Sequence, residues 1–282
     1  MTPNGLVLLD KPIGVTSFRA LNPLKRQFGR SLGHTGTLDQ FASGLLVVLT
    51  GKFTKFTPLF TAYDKVYESV FEFGVETDTL DPTGKVIFSA NVPDEEAILG
   101  LSIAFKGPLD QVPPQYSAIH VDGKRAYERV RGGETPVLVP RRIEIYQLDV
   151  LEWRKPHLKV RIHCSKGTYV RALARDWGRL AGCGAHVKSL VRKKVGPFEL
   201  PEEPAVFRDE LQTLALLNIP LLPVHETSGV LRGLEPMSQA PSLASIESER
   251  VALVAPEGSV LAVVCREGNR WNYLFVQADS KQ

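Results

Sequence analysis

Gly33-His-Thr-Gly-Thr-Leu-Asp39, then Ala42-Ser-Gly44 and the run Leu45-Leu-Val-Val-Leu-Thr50, form the stretch on which the reading of this chain turns. The run is continuous, apolar and rich in β-branched residues, the pattern of a strand buried on both faces. Ahead of it, glycines on either side of a His-Thr pair let the backbone turn tightly or approach a ligand. Asp39 then stands on a loop just before a rigid strand, a usual placement for a chemically active side chain. An aspartate closing an Asx turn fits the same spacing, and His34 fits an ordinary loop histidine.

Working outward, residues 5–9 read as a short buried strand and 10–14 as a turn. Thr16 or Ser17 can cap a helix running toward Gly29, which Pro23 should break or kink. Residues 31–44 read as a loop. After the central run, the pattern predicts a short helix over 54–62 and a strand over 65–74. A helix opens at Pro93-Asp-Glu-Glu96, where acids complement the dipole, and ends near Gly107. Residues 108–140 hold five prolines and many charges and read as an inserted segment outside the core. Strands are expected near 142–153, 157–165 and 187–195, with a helix over 168–180. A linker over 197–204 leads to a helix near 208–217. Residues 229–247 read as loose, and short strands follow at 251–254, 260–264 and 273–276. The fold class is α+β, a mixed and mainly antiparallel sheet with helices added at intervals, plus a small β-rich C-terminal module. The expected division is 1–225, with the insertion at about 108–142, and 226–282.

The 282 residues, 43% of them hydrophobic, suffice for one sizeable domain and a small one. No run approaches the roughly 18 apolar residues that span a bilayer, and the first ten residues lack a signal peptide's basic region. A cytoplasmic protein is expected. Three cysteines, Cys164, Cys183 and Cys265, form no C-x-x-C pair. His163 beside Cys164 and Cys183 near His186 make a zinc site conceivable, but recognisable four-ligand spacing is missing, so no metal is expected. Charge is unevenly distributed. Residues 65–123 carry 3 basic and 10 acidic side chains, whereas 124–194 carry 18 and 6. Such a cationic block fits a polyanion partner, and it fits equally a set of faces neutralised by the acidic segment.

Further segments share an order with the first: Leu9-Asp-Lys-Pro12, Lys65-Val-Tyr67, Thr77-Asp-Thr79 with Asp81 and Gly84, and Gln111-Val-Pro-Pro114 with Tyr116-Ser-Ala118. His163-Cys-Ser-Lys-Gly-Thr-Tyr-Val-Arg171 and Gly182-Cys-Gly-Ala-His186, with Leu190 and Arg192, complete the set. In these motifs, spread over residues 5 to about 195, the chain resembles the bacterial tRNA pseudouridine-55 synthases of the TruB type. The resemblance implies a catalytic domain of the pseudouridine synthase fold that isomerises one flipped-out uridine in the T loop of tRNA. It implies Asp39 as the catalytic carboxylate, Tyr67 stacked on the target base and Arg171 paired with Asp39. Leu190 is expected to wall the pocket, His34 to insert into the T loop and Lys11 to order the site. Lys166 and Tyr169 are expected among the substrate-binding residues. The segment 108–142 resembles the family's RNA-gripping insertion, with Arg125, Arg129, Arg131, Arg141 and Arg142 suited to phosphate.

These roles agree with the chemistry. Uracil must leave its ribose, turn, and rejoin it through C5, a net isomerisation that needs no metal, nucleotide or reductant; no cofactor is expected. A carboxylate can attack sugar or base, and an arginine beside it compensates its charge against desolvation. An aromatic face holds a planar ring without fixing its rotation. No membrane contact and no obligate protein partner are expected. Gln40-Phe41 replaces the usual Pro-Leu, Pro23 interrupts a helix that is usually unbroken, and the last 55 or so residues match poorly. They are expected to form a β-rich, reduced PUA-like module. Two other readings share these residues: a guide-RNA-dependent pseudouridine synthase, and a module that binds and folds tRNA without chemistry.

Overall fold

The computed structural model describes residues 2–117, 119–121 and 123–277; the side chains of His120, Val121 and Arg125 lie outside the described residues. The chain opens with strand β1 (Gly5–Lys11) and two short helices, α1 (Ser17–Ala20) and α2 (Asn22–Phe28). Thr16 caps α1 by accepting from the Arg19 amide. The helix breaks at Leu21, because Pro23 in the first turn of α2 offers no amide to continue it, and α2 stops at Gly29 with φ 92°. The expected loop at 31–44 contains a short strand, β2 (Leu32–His34), paired with β3 (Ser43–Thr50).

β3 is buried on both faces, as its sequence requires. Leu46 and Val48 face Leu21 and Leu24 of the helix pair. Leu45, Val47 and Leu49 face Phe53 and Phe56 together with Ala252, Val263 and Phe275 from the far end of the chain. After helix α3 (Thr57–Ala62), strand β4 (Lys65–Phe73) alternates strictly, with Tyr67, Ser69, Phe71 and Phe73 inward and Glu68 and Glu72 outward. A side hairpin, β5 (Val75–Thr77) with β6 (Val86–Ser89), precedes helix α4 (Glu95–Gly100). The helix cap is Asp94, so Pro93 stands outside the helix rather than in its first turn.

The segment expected from 108 as an insertion begins inside the sheet. Strand β7 (Gly107–Gln111) is its edge, paired with the next long strand, because Leu109 and Gln111 turn inward at alternate positions. Pro113, Pro114 and Ser117 are also buried. The insertion proper carries hairpin β8 (His120–Val121) with β9 (Lys124–Arg125), then helix α5 (Ala126–Arg131). Strands β10 (Arg141–Arg154) and β11 (His157–Cys164), helix α6 (Val170–Leu180) and strand β12 (Ala185–Val195) follow. β13 (Phe198–Glu199), inside the expected linker, pairs β12, and β14 (Ala205–Arg208), just after that linker, pairs β1 and forms one edge of the sheet.

The order of the main sheet is β14-β1-β3-β12-β4-β11-β10-β7. Every pair is antiparallel except β3 with β12, where Val191 faces Ser43 and Arg192 faces Gly44. That junction needs a glycine: Gly44 has φ 99°, and a Cβ there would sit 2.5 Å from the Arg192 carbonyl. α6 covers the β4–β12 half. Its Trp177 is fully buried between Phe71, Phe73 and Phe105 and donates to the Ile98 carbonyl at 3.0 Å.

Helix α7 (Glu210–Leu216) begins at an Asp209/Gln212 capping box. A second sheet of four strands follows: β15 (Leu221–Pro223), β16 (Arg250–Val254), β17 (Val260–Glu267) and β18 (Arg270–Val276), in that order. Residues 229–247, expected to be loose, are helical for much of their length: α8 (Thr227–Leu231), α9 (Pro236–Gln239) and a 3₁₀ turn at Pro241–Ser245. Val230 and Leu243 are fully buried against the second sheet. The prolines and a glycine mark the ends of these short helices: Pro236 and Pro241 stand in first turns, and Gly233, with φ 72°, follows the end of α8.

Candidate active site

Asp39 is held from behind. The buried Ser17 hydroxyl donates to the Leu38 carbonyl at 3.0 Å and accepts from the Leu38 amide at 2.8 Å. The Ala42 amide reaches the Asp39 carbonyl at 3.1 Å, and the Gly14 amide reaches the Gln40 carbonyl at 2.8 Å. The start of α1 thus braces the loop on both sides of the aspartate. Gln40 adds to this by donating its side-chain amide to the Gly14 carbonyl at 3.0 Å.

Arg171, the second residue of α6, meets that carboxylate with its side chain 5% exposed. Its Nη2 donates to Oδ1 at 3.0 Å, while Nε lies 2.8 Å from Oδ2, an ionic contact off the N–H axis. Nη1 donates to the Thr79 carbonyl at 2.8 Å and Nη2 also to the Tyr116 carbonyl at 2.9 Å. Asp81 is 3.7 Å away and is itself held by the hydroxyls of Thr79 and Thr83. One guanidinium therefore ties together four segments, and its planar fork is what lets it do so.

Tyr67 lies in the same buried cluster as Leu38, Phe41 and Leu190. Burial pushes its hydroxyl pKa up, opposed by the positive charge of Arg192. Arg192 is 3% exposed and donates from Nε to the Leu45 carbonyl at 2.8 Å and from Nη2 to the Gly36 carbonyl at 3.0 Å. It joins the Gly33–Asp39 loop to the central strand. Lys11 is fully buried and donates to the carbonyls of Pro12 and Val15 at 3.0 and 2.6 Å. Burial pulls its pKa down to about 8, with the Asp39 charge opposing. Lys65, at the start of β4, is likewise lowered to about 8, by burial first and then by Arg192. His34 is half-buried on β2, its pKa pushed down by burial and by Arg192.

Of the residues expected from sequence, Asp39, Tyr67, Arg171, Leu190 and Lys11 gather in one place. Tyr169 borders it: its amide and carbonyl are both bonded to the Gln111 side chain, at 2.8 and 3.1 Å. Lys166 is exposed on the turn before α6. Arg129 pairs with Glu134 at 2.9 Å, and the Arg131 guanidinium lies 5.6 Å from the Tyr127 ring centre. Arg141 and Arg142 are exposed at the start of β10, Arg142 at 3.5 Å from Asp110. Arg192 and Asp81 join the site without an expected role, and Ser17, expected only as a candidate helix cap, braces Leu38. The signal for them was a charged or hydroxyl residue at an inward strand position or a helix start, which only the register of the sheet reveals.

The charge blocks also resolve. Glu68 and Glu72 on β4 stand beside Arg161 on β11 and Lys188 on β12, at 2.6 and 3.1 Å. Arg179 reaches Glu76 at 2.7 Å. The acidic and basic segments partly neutralise one another across adjacent strands. The conceivable zinc ligands diverge: His163 pairs with Asp64, and His186 Nδ1 faces the Val75 carbonyl at 3.0 Å. Among the described residues no three His, Cys, Asp or Glu side chains converge as a metal site.

A carboxylate clamped by a buried arginine beside an aromatic strand residue, on a mixed sheet with one parallel pair, defines a protein of the pseudouridine synthase fold. A chain from the structure of an H/ACA RNP bound to a substrate RNA containing 2'-deoxyuridine shares that fold, with TM-score 0.64 and 19% identity over 98% of this chain and 86% of the other. The chain belongs to the TruB family of pseudouridylate synthases: residues 25–170 match the family's N-terminal domain, and 171–223 match the tRNA pseudouridylate synthase B C-terminal domain. Similar proteins include the tRNA pseudouridine synthase B of Corynebacterium efficiens, 38% identical over 97% of this chain and 96% of that protein. Another is that of Bordetella avium, 42% identical over 79% of this chain and 93% of its own length. Among the described residues no helix is long and apolar enough to cross a membrane.

Proposed function

We propose that this protein isomerises uridine to pseudouridine in tRNA, at uridine 55 of the T loop, with Asp39 as the catalytic carboxylate. The ion pair of Asp39 with the buried Arg171, beside Tyr67, carries the reading. Family membership and the names of the relatives support tRNA as the substrate. In the reaction the N1–C1′ bond breaks, the ring turns, a C5–C1′ bond forms, and the C5 hydrogen leaves as a proton while N1 gains one. Asp39 can bond to C1′ of the ribose or to C6 of the uracil; either way it must sit beside the glycosidic bond with its charge oriented. Arg171 orients it, and Tyr67 offers the ring a face on which rotation is free. Leu190 closes the apolar wall behind that face.

The uridine must leave its stack, which costs a few kcal/mol and is offset by contacts to the surrounding RNA. His34, Lys11, Lys166 and Tyr169, with the basic residues of the insertion, are assigned to that binding. The enzyme acts in the cytoplasm on the T arm, without cofactor, guide RNA or obligate protein partner. Tritium release from tRNA labelled with [5-³H]uridine tests the proposal, because isomerisation frees the C5 hydrogen and binding does not. Release with a pseudouridine mapped to position 55 is the expected result. Tight tRNA binding without release would leave only a tRNA-folding module.

A further inference from the structure

Between Asp10 and Asp39 the chain holds five basic residues and no acid. One of them, Lys11, is buried; the other four, Arg19, Lys25, Arg26 and Arg30, lie on α1, α2 and the turn after them. Leu21, Leu24 and Phe28 face inward, Phe28 stacking on Phe207 at 4.9 Å. Arg26 stands on the opposite face of α2 and half-exposed Lys25 on its flank. Arg19, Arg26 and Arg30 are exposed, and the Lys25 ammonium rests 3.9 Å above the ring of Phe18, itself 66% exposed. Among the described residues none of the four cations has an ion-pair partner. The contrast with the larger basic block is sharp, since Arg161, Arg179 and Lys188 there are each matched to a glutamate.

The patch adjoins the site. α1 begins at Ser17, whose hydroxyl holds Leu38, next to Asp39. Exposed Ile13 and Phe18 lie on either side of that brace. α2 then leads away for roughly 10 Å, its seven residues rising about 1.5 Å each. A row of uncompensated cations that starts at the mouth of a site and runs outward fits a polyanion strand entering that site.

We infer that the outer face of α1–α2 grips the phosphates of the RNA strand next to the target uridine, as a second electrostatic footprint apart from the insertion. The inference rests on the proposed action on RNA. Lysine and arginine on phosphate release counterions, so their loss appears in the salt dependence of binding. Arginine-to-lysine changes keep charge and should keep that dependence.

The test is equilibrium binding of unmodified tRNA to the full-length protein over a range of salt concentrations. Arg19→Ala, Lys25→Ala, Arg26→Ala and Arg30→Ala combined should flatten the slope of log K against log salt by about three units. Affinity at low salt should fall at least about tenfold. All four positions are at the surface, so the unfolding midpoint should stay near that of the parent; a companion variant, Arg19→Lys with Arg26→Lys and Arg30→Lys, should retain the parental slope. As a control, Arg154→Ala, Lys155→Ala and Lys159→Ala on the distant β10–β11 hairpin should change the slope little. An unchanged slope in the quadruple variant, or an equal flattening in the control, overturns the inference. Tritium release by the unaltered protein separates the two readings: without release, but with the slope lost as expected, the proposed reaction fails and the RNA grip stands.

Discussion

The two sheets handle polarity in opposite ways. Around the end of the large sheet that carries Asp39, the interior holds Lys11, Asp81, Arg171 and Arg192, all less than 9% exposed. The four-stranded sheet, from Leu221 to Val276, buries only apolar side chains among the described residues. Buried charge opposes folding unless every partner is in place. It persists where a fixed charge is needed and is absent where a strand has only to pack. The second sheet contributes support: Ala252, Val263 and Phe275 form the far wall for Leu45 and Val47 of the central strand.

The sharpest way to break this contrast is at Asp39. Asp39→Ala should lower the single-turnover rate of pseudouridine formation by about 10⁴-fold or more, with tRNA affinity within a few-fold, because binding is spread over phosphate contacts. Appreciable turnover would show that the carboxylate is not the reacting group. On the other side, Phe275→Ala should lower unfolding free energy by about 3–5 kcal/mol, as expected for a large buried aromatic. Its rate per folded molecule should stay near that of the parent. A rate loss comparable to that of Asp39→Ala would make the second sheet part of the chemistry.

Arg171→Lys keeps the charge and loses the fork. Lysine cannot span Asp39, Thr79 and Tyr116 at once, so the rate should drop about 10²-fold or more through misplacement of the carboxylate. The smallest expected effect is a pH signature. Lys11 and Lys65, with folded pKa values of about 8 against 10.5 unfolded, bind fewer protons folded than unfolded between those pH values. Stability should therefore rise with pH across that window, by roughly 1–3 kcal/mol. The rise should be lost in the Lys11→Met, Lys65→Met variant; chemical denaturation at pH 7.5 and pH 10 checks this. A rise that survives in the double variant would place its origin elsewhere.

Legibility in the sequence followed the range of the forces involved. The central strand, the strand at β4 and the break at Pro23 are written in neighbouring residues, and each stands where expected. β14, β15 and the edge strand β7 are only three to five residues long and are strands because partners distant in the chain complete their hydrogen bonds. Nothing local announces that. The short helices of 227–245 fail for a related reason: their turn-rich composition is shared by true loops, and only the burial of Val230 and Leu243 distinguishes them. Resemblance of motifs gave Asp39, Tyr67 and Arg171 together. The cationic block was legible as charge but not as pairing, since its glutamate partners come from the next strand over.

The span of contacts around Arg171 has a consequence for synthesis. Its partners lie 132 residues back at Asp39, 92 at Thr79 and 55 at Tyr116. While the ribosome is still making residues 40–170, the nascent chain carries the carboxylate without its counter-ion and the loops without their tie. The clamp on Asp39 is therefore complete only once α6 has been synthesised and has docked.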